Sequence, residues 1–252
     1  VSRRVRAALA LVTLAGLAAL AALAVIGLDD VGHPPGPNAD AVPVLLAHER
    51  KVANAVNGVT YDMRASDTLG EELILFVAAI GTAVLLRATR SEASEDRRDE
   101  REDERGPGTS GALRFTGAVL VAPVLVLGLY VVTHGQLTPG GGFQGGVILA
   151  GALLLVYAAG QVVALERVRP VSLVEVAEAT GALAFALVAL GGIVFSGALL
   201  ANFLGLAPMG SLLSGGTIPV LSAATGVEVT GAITLILTEF LDQALMRGQA
   251  RG

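Results

Sequence analysis

Long apolar runs separated by short polar stretches set the plan of this chain. Six of them, at 5–28, 69–87, 115–133, 147–165, 173–200 and 218–241, are long enough to span a membrane, since a bilayer core about 30 Å thick needs roughly 20 residues of helix. Backbone polar groups cannot stay unpaired in lipid, so runs of this length are helices or barrel strands. None alternates in the way short barrel strands do. The pattern predicts an all-α integral membrane protein with about six transmembrane helices.

The polar intervals orient and divide these helices. With the N-terminus in the cytoplasm, 14 of the 17 basic residues face inside and only Arg50, Lys51 and Arg64 face out. The positive-inside rule therefore places both termini in the cytoplasm. A cleaved signal peptide is the alternative for the first run, but its apolar length exceeds the usual h-region, which favours a retained helix. The outer connection 29–66 carries Leu45, Leu46, Val52 and Val56 on a possible short surface helix within 44–56. The segment 91–110 mixes eight acids with four arginines and reads as a solvated cytoplasmic linker. The expected division is a two-helix front (1–90), a charged linker (91–112) and a four-helix back (113–252).

Composition narrows the function. Of 252 residues, 53% are hydrophobic and only 15% charged, well below the quarter usual in soluble domains. The apolar excess calls for lipid or a partner. The chain has no cysteine, which excludes disulfides, thiolate metal sites and cysteine nucleophiles. His33, His48 and His134 lie far apart and show no metal-ligand spacing. The net charge of -5, with no basic aromatic-bearing face, gives no sign of nucleic acid. Neither an enzymatic constellation nor a cofactor or metal site is expected.

One motif invites a different reading. In "TPGGGFQGG" (138–146), Gly140, Gly142 and Gly145 satisfy G-x-G-x-x-G, and Glu166 follows about twenty residues on. A nucleotide site of this kind needs a short strand before the glycines, whereas here the apolar run from Phe115 to Val132 precedes them. No nucleotide is expected. The stretch reads instead as a tight outer turn, with Pro139 ending one helix and the next starting near Phe143. A sharper alternative turns the free N–H groups of that helix start toward His134, a possible proton relay at the membrane boundary.

Acids inside the spans carry the candidate chemistry, because ionisable groups there are costly and mark pathways or partner contacts. Asp67, Glu71 and Glu72 open the second span, Glu175 and Glu178 the fifth. Glu228 lies about ten residues into the sixth, near mid-depth, followed by Glu239 and Asp242. Asp67 and Glu71, four apart, share a helix face. Glu228 and Glu239, about three turns apart, share another with Ala232 and Leu235. Such pairs can bind a hard cation or pass a proton. Structural alternatives stand beside these. Thr68 and Glu71 fit a capping box, Glu175 and Glu178 fit boundary residues beside Arg169, and Glu239 and Asp242 fit headgroup positions near Arg247. Gly192 with Ser196 and Gly226 with Thr230 have the small-xxx-small spacing of close helix contacts.

These residues also carry a resemblance. "HGQLTPGGGFQGG" (134–146), then "LSGGTI" (213–218) and "GVEV" (226–229), resemble the signature segments of the MnhB/MrpB subunit of Mrp-type multisubunit sodium/proton antiporters. "NGVTYDMRASDTLGE" (57–71) is similar to a motif near the C-terminal end of the large MrpA subunit, and in a small subunit of membrane-bound hydrogenases. The resemblance implies a multi-pass subunit in the cytoplasmic membrane, within a hetero-oligomer of other antiporter subunits that exchanges sodium ions for protons across the lipid bilayer. It further implies that Asp67 and Glu71 lie on a cation path. His134 and the loop Pro139, Gly140, Gly141, Gly142, Phe143, Gln144 and Gly145 become candidates for transport or packing, and Glu228 matches a family segment without an assigned step. Two other classes remain open: the membrane arm of a redox-driven ion pump, and a purely structural packing subunit.

Overall fold

The computed structural model describes residues 38–93, 111–158 and 171–249, with scattered helical positions between 11 and 26. The expected first span therefore falls largely outside the described residues, as do residues 94–110 of the linker. Residues Val42–Gly252 form one compact unit and residues Val1–Ala41 another; all contacts below lie within the former. Every regular element among the described residues is helical.

The outer connection is more ordered than a single surface helix. Helix α1 (Asn38–Leu45) continues as a wider π turn, Leu46–Arg50. It stops at Lys51, whose φ of 60° turns the chain out of the helix. Leu46 and Val52 are buried, whereas Leu45 and Val56 face outward. Asn54 then starts α2 (Ala55–Gly58), its side chain accepting the Val56 N–H at 3.1 Å, the usual way to satisfy an orphan donor at a helix start. A second π turn, Val59–Met63, leads into α3 (Ala65–Ala93).

The remaining helices are α4 (Gly111–Thr133), α5 (Gly142–Ala158), α6 (Val171–Ser196) and α7 (Ile218–Gln249). Among the described residues, four stretches are long and apolar enough to cross a membrane: Ala65–Arg87, Arg114–Thr133, Leu173–Ser196 and Ile218–Leu241. Gly142–Val156 is a shorter apolar helix. Each falls on a run read from the sequence. Helix α7 occupies the centre and packs against α3, α4, α5 and α6.

Glycine sets how closely these helices approach. A Cβ on Gly128 would strike Leu149, and one on Gly145 would strike Val132. The pairings run in opposite directions, so α4 and α5 form an antiparallel hairpin. Likewise a Cβ on Gly181 would strike the backbone of Glu228, and one on Gly231 the backbone of Glu178. Helices α6 and α7 are thus antiparallel and touch backbone to backbone. The spacing Gly226/Thr230 meets α4 and α5, through Val132 and the Gly146 carbonyl. Gly192, by contrast, meets the turn that follows its own helix, at Ala198 to Ala201.

Two apolar clusters result. Val52, Tyr61, Phe185, Ile218, Leu221 and Ala224 pack at the end of the bundle nearest the glycine loop. Ala79, Ala83, Val174, Ala232 and Leu235 pack further along. On α3, α6 and α7 alike, an acid lies between the two.

Candidate functional site

Those acids are Glu72, Glu178 and Glu228, each no more than 2% exposed. Helix geometry selects them. Successive residues on a helix point about 100° apart, so Glu71 faces outward while Glu72 points into the bundle. On α7 the buried positions Ser222, Thr225, Glu228, Ala232, Leu235 and Glu239 form one stripe, which joins Glu228 to Glu239 as their spacing predicts. Glu178 reaches the same interior because Gly231 lets α6 close onto α7 beside it.

The carboxyls are neighbours. Glu72 and Glu228 lie within hydrogen-bonding reach of each other, with the Thr225 hydroxyl beside Glu72. Glu178 is close enough to act electrostatically on Glu228. None of the four carboxyl oxygens of Glu72 and Glu228 meets a donor of good geometry, and Glu178 Oε1 is likewise unpartnered. Buried polar atoms are nearly always hydrogen-bonded, and unpaired buried carboxylates are very costly. Two facing carboxyls form a hydrogen bond only if one of them holds a proton. The arrangement therefore carries a desolvation cost that its own contacts do not offset.

Each end of this series has a distinct closure. At the loop end sits Tyr61, 2% exposed, its hydroxyl within reach of Thr225, Ser222 and the Gly142 backbone. Burial pushes the Tyr61 phenol above its ordinary value, with the Glu72 charge adding in the same direction. At the other end Arg87 bridges two helices. Its Nη1 donates to Glu175 Oε1 at 2.5 Å and its Nε to Glu239 Oε1 at 2.7 Å. Glu175 stands one turn from Glu178 on α6 and acts electrostatically on it.

The boundary reading of these acids is thereby revised. Glu178 and Glu239 are buried, at 2% and 4% exposure, not placed in headgroups. The capping-box reading of Thr68 gives way as well. Thr68 is the fourth residue of α3, and its hydroxyl donates to the Thr60 carbonyl at 2.6 Å.

Other sequence candidates lie elsewhere. Asp67 is exposed and accepts from Arg64 Nε at 2.7 Å. His134 stacks on Tyr130 with ring centroids 4.1 Å apart, its Nδ1 3.1 Å from the Tyr130 carbonyl oxygen. Asp242 lies outside the described side chains. Among the described residues no cluster of three or more His, Asp or Glu forms a metal cage.

The glycine loop joins the front of the chain to the back. Gly140 and Gly141 have φ of 148° and 146°, a region that disfavours side chains. Asn54 Nδ2 donates to the Gly135 carbonyl at 2.7 Å and to that of Thr138 at 3.0 Å. The fully buried Gln136 accepts from the Ala53 and Asn54 amides through its carbonyl, at 3.0 and 3.1 Å, while its Nε2 donates to the Leu212 carbonyl at 2.7 Å. Gly142 and Gly146 seat the start of α5 on the backbone and side chains of α7 around Ser222, Gly226 and Val229. Phe143 is half-buried and Gln144 exposed.

Comparison with known proteins agrees with this architecture. Residues 112–235 match the family described as a domain related to the MnhB subunit of Na+/H+ antiporters. The chain carries an MnhB-type domain. The chain is a multi-pass membrane protein, and the MnhB subunit to which this domain is related belongs to Na+/H+ antiporters. An uncharacterised protein of Methanocaldococcus jannaschii is 29% identical over 202 residues, covering 73% of this chain and 75% of that one. Among solved structures, a chain of an archaeal respiratory membrane complex, the membrane-bound sulfane sulfur reductase, aligns with a TM-score of 0.66 at 26% identity. That alignment covers 94% of this chain and 98% of the other. A chain of the Mrp complex from a Dietzia species aligns with a TM-score of 0.63 at 24% identity over 95% of this chain, but this chain spans only 26% of that one. Both neighbours belong to multisubunit membrane complexes.

Sequence reading named Glu72 only beside Asp67 and Glu71 as an acid opening the second span, and did not raise Tyr61 or Arg87 as site residues. One signal was present for Glu178. "EATGA" at 178–182 and "EVTGA" at 228–232 repeat an E-x-T-G-A pattern, and the two copies cross at their own glycines.

Proposed function

We propose that this chain serves in the cytoplasmic membrane, both termini inside, as a subunit of a sodium/proton antiporter whose ion pathway runs along Glu72, Glu228 and Glu178. The observation that carries this reading is the three-carboxyl cluster, buried between two apolar layers with five of its six oxygens unpartnered. A structural role alone would be better served by apolar side chains of similar volume. Asp67 and Glu71, exposed at the start of α3, would meet the ion or a neighbouring subunit at the pathway's approach, and His134 would stand at the same boundary. Residues 1–90 would act as an MrpA-like front, 91–112 as a linker and 113–252 as the MnhB-type back.

The test is exchange itself. In inverted vesicles containing the assembled complex, Glu228→Gln should abolish sodium-driven ΔpH while assembly is retained. Unchanged exchange in that variant would remove the pathway role.

A second reading has its own support. The sulfane sulfur reductase chain is matched end to end, which favours the membrane arm of a redox-driven ion pump. Copurification in mild detergent separates the two, since cluster-bearing partners would indicate the redox complex and antiporter subunits alone the antiporter.

A further inference from the structure

The pathway reading leaves open which ion the buried series carries, and the geometry bears on this. A dehydrated hard cation needs several oxygens converging on one point. Here the carboxyls are strung out instead. Glu72 pairs with Glu228, while Glu178 acts on Glu228 and not on Glu72. Their helices meet backbone to backbone at Gly181 and Gly231, so the layer is closed by contact. Near Glu72 the oxygens on offer are the hydroxyls of Thr225, Ser222 and Tyr61, which both donate and accept protons. At the opposite end Arg87 presents a fixed positive charge held by Glu175 and Glu239. A metal cation would have to displace that guanidinium from both carboxylates to pass, whereas a proton steps between oxygens and needs no such space.

We propose that this series is the proton branch of the exchange, running Tyr61, Thr225, Glu72, Glu228, Glu178 and Glu175, with Arg87 as the barrier that keeps metal cations out. This rests on the pathway reading and assigns its ion. In the central step an O–H bond on one carboxyl of the Glu72–Glu228 pair breaks as an O–H bond on the other forms. The proton moves one way, the negative charge the other, and no further reactant is needed. Along α3, Glu72 and Arg87 are 15 residues apart, about 22 Å of helix rise, so the series covers most of a bilayer core.

The titratable and charged groups facing this series are Glu72 and Arg87 from α3, Glu175 and Glu178 from α6, Glu228 and Glu239 from α7, and Tyr61 from the turn before α3; the outward-facing Glu71 also acts electrostatically on Glu72. Helix α5 brings none between Gly142 and Val156. Sodium-driven exchange in vesicles bearing the whole complex should therefore be measured against both pH and sodium concentration. Glu72→Gln should lower the maximal rate about a hundredfold or more, the low side of what a positioned proton-transfer group contributes, and shift the pH profile while leaving half-saturating sodium unchanged. Glu72→Asp should restore part of the rate. A several-fold rise in half-saturating sodium with an unaltered pH profile would overturn the proton assignment but keep the pathway. If neither quantity changes in an intact complex, both readings fall. Should Glu72→Gln fail to assemble, Tyr61→Phe, which removes only the hydroxyl, decides by the same two quantities.

Discussion

At the scale of single residues, neighbours in sequence have opposite fates. Glu71 and Glu72 are chemically identical, yet one faces outward and the other is buried against Glu228. Glu228 was legible in the sequence because a carboxyl near mid-span has no route to water. Glu72 was not, because which face of α3 packs inward depends on α7, about 150 residues away. Arg87 shows the same limit: its partners, 88 and 152 residues distant, are visible only once three helices meet. We expect Arg87→Ala to destabilise the bundle by about 2–3 kcal/mol, less than the loss for a fully buried pair because the Arg87 side chain is partly exposed. Thermal unfolding in detergent measures this. Asp67→Asn, which removes only the exposed partner of Arg64, should change stability by no more than about 1 kcal/mol in the same assay. Tyr61 adds a pH prediction. Its phenol is held neutral by burial, so above the ordinary tyrosine range the unfolded chain loses a proton that the folded chain keeps. Stability should hold below about pH 10 and fall as pH rises further, and Tyr61→Phe should flatten that fall.

At the scale of elements, the helices follow directly from the apolar runs, and their contacts follow from glycine. The runs are read by length alone, so each of α3 to α7 was predictable, with its ends placed to within eight residues. What the sequence leaves unstated is partner choice, because every apolar face looks alike to lipid and protein. Glycines differ sharply in this respect. Gly181 and Gly231 carry the α6–α7 crossing, whereas Gly70 and Gly81 have open space where a Cβ would go. Gly181→Ala and Gly231→Ala should each destabilise by about 1–3 kcal/mol, because backbone cannot move aside as a side chain can. Gly70→Ala and Gly81→Ala should be neutral or stabilise by up to about 1 kcal/mol, from helix propensity. Thermal unfolding of the four variants tests the contrast directly. The glycine loop belongs at this scale too. Its positive-φ turn was legible from composition, but its docking onto Asn54 through the Gly135 and Thr138 carbonyls was not.

At the scale of the whole molecule, the fold gathers acids from α3, α6 and α7 between two apolar clusters and closes the set with Tyr61 at one end and Arg87 at the other. That layering has a cost in desolvation and gives no evident return in stability, which is the argument for transport. Large apolar side chains such as Ile74, Val77, Phe115, Val126 and Val194 remain more than two-thirds exposed, and lipid or neighbouring subunits must cover them. The most direct measurement is sodium-driven ΔpH in inverted vesicles containing the assembled complex with Glu228→Gln. The account predicts an intact complex with exchange abolished. An intact complex exchanging at the wild-type rate would contradict it.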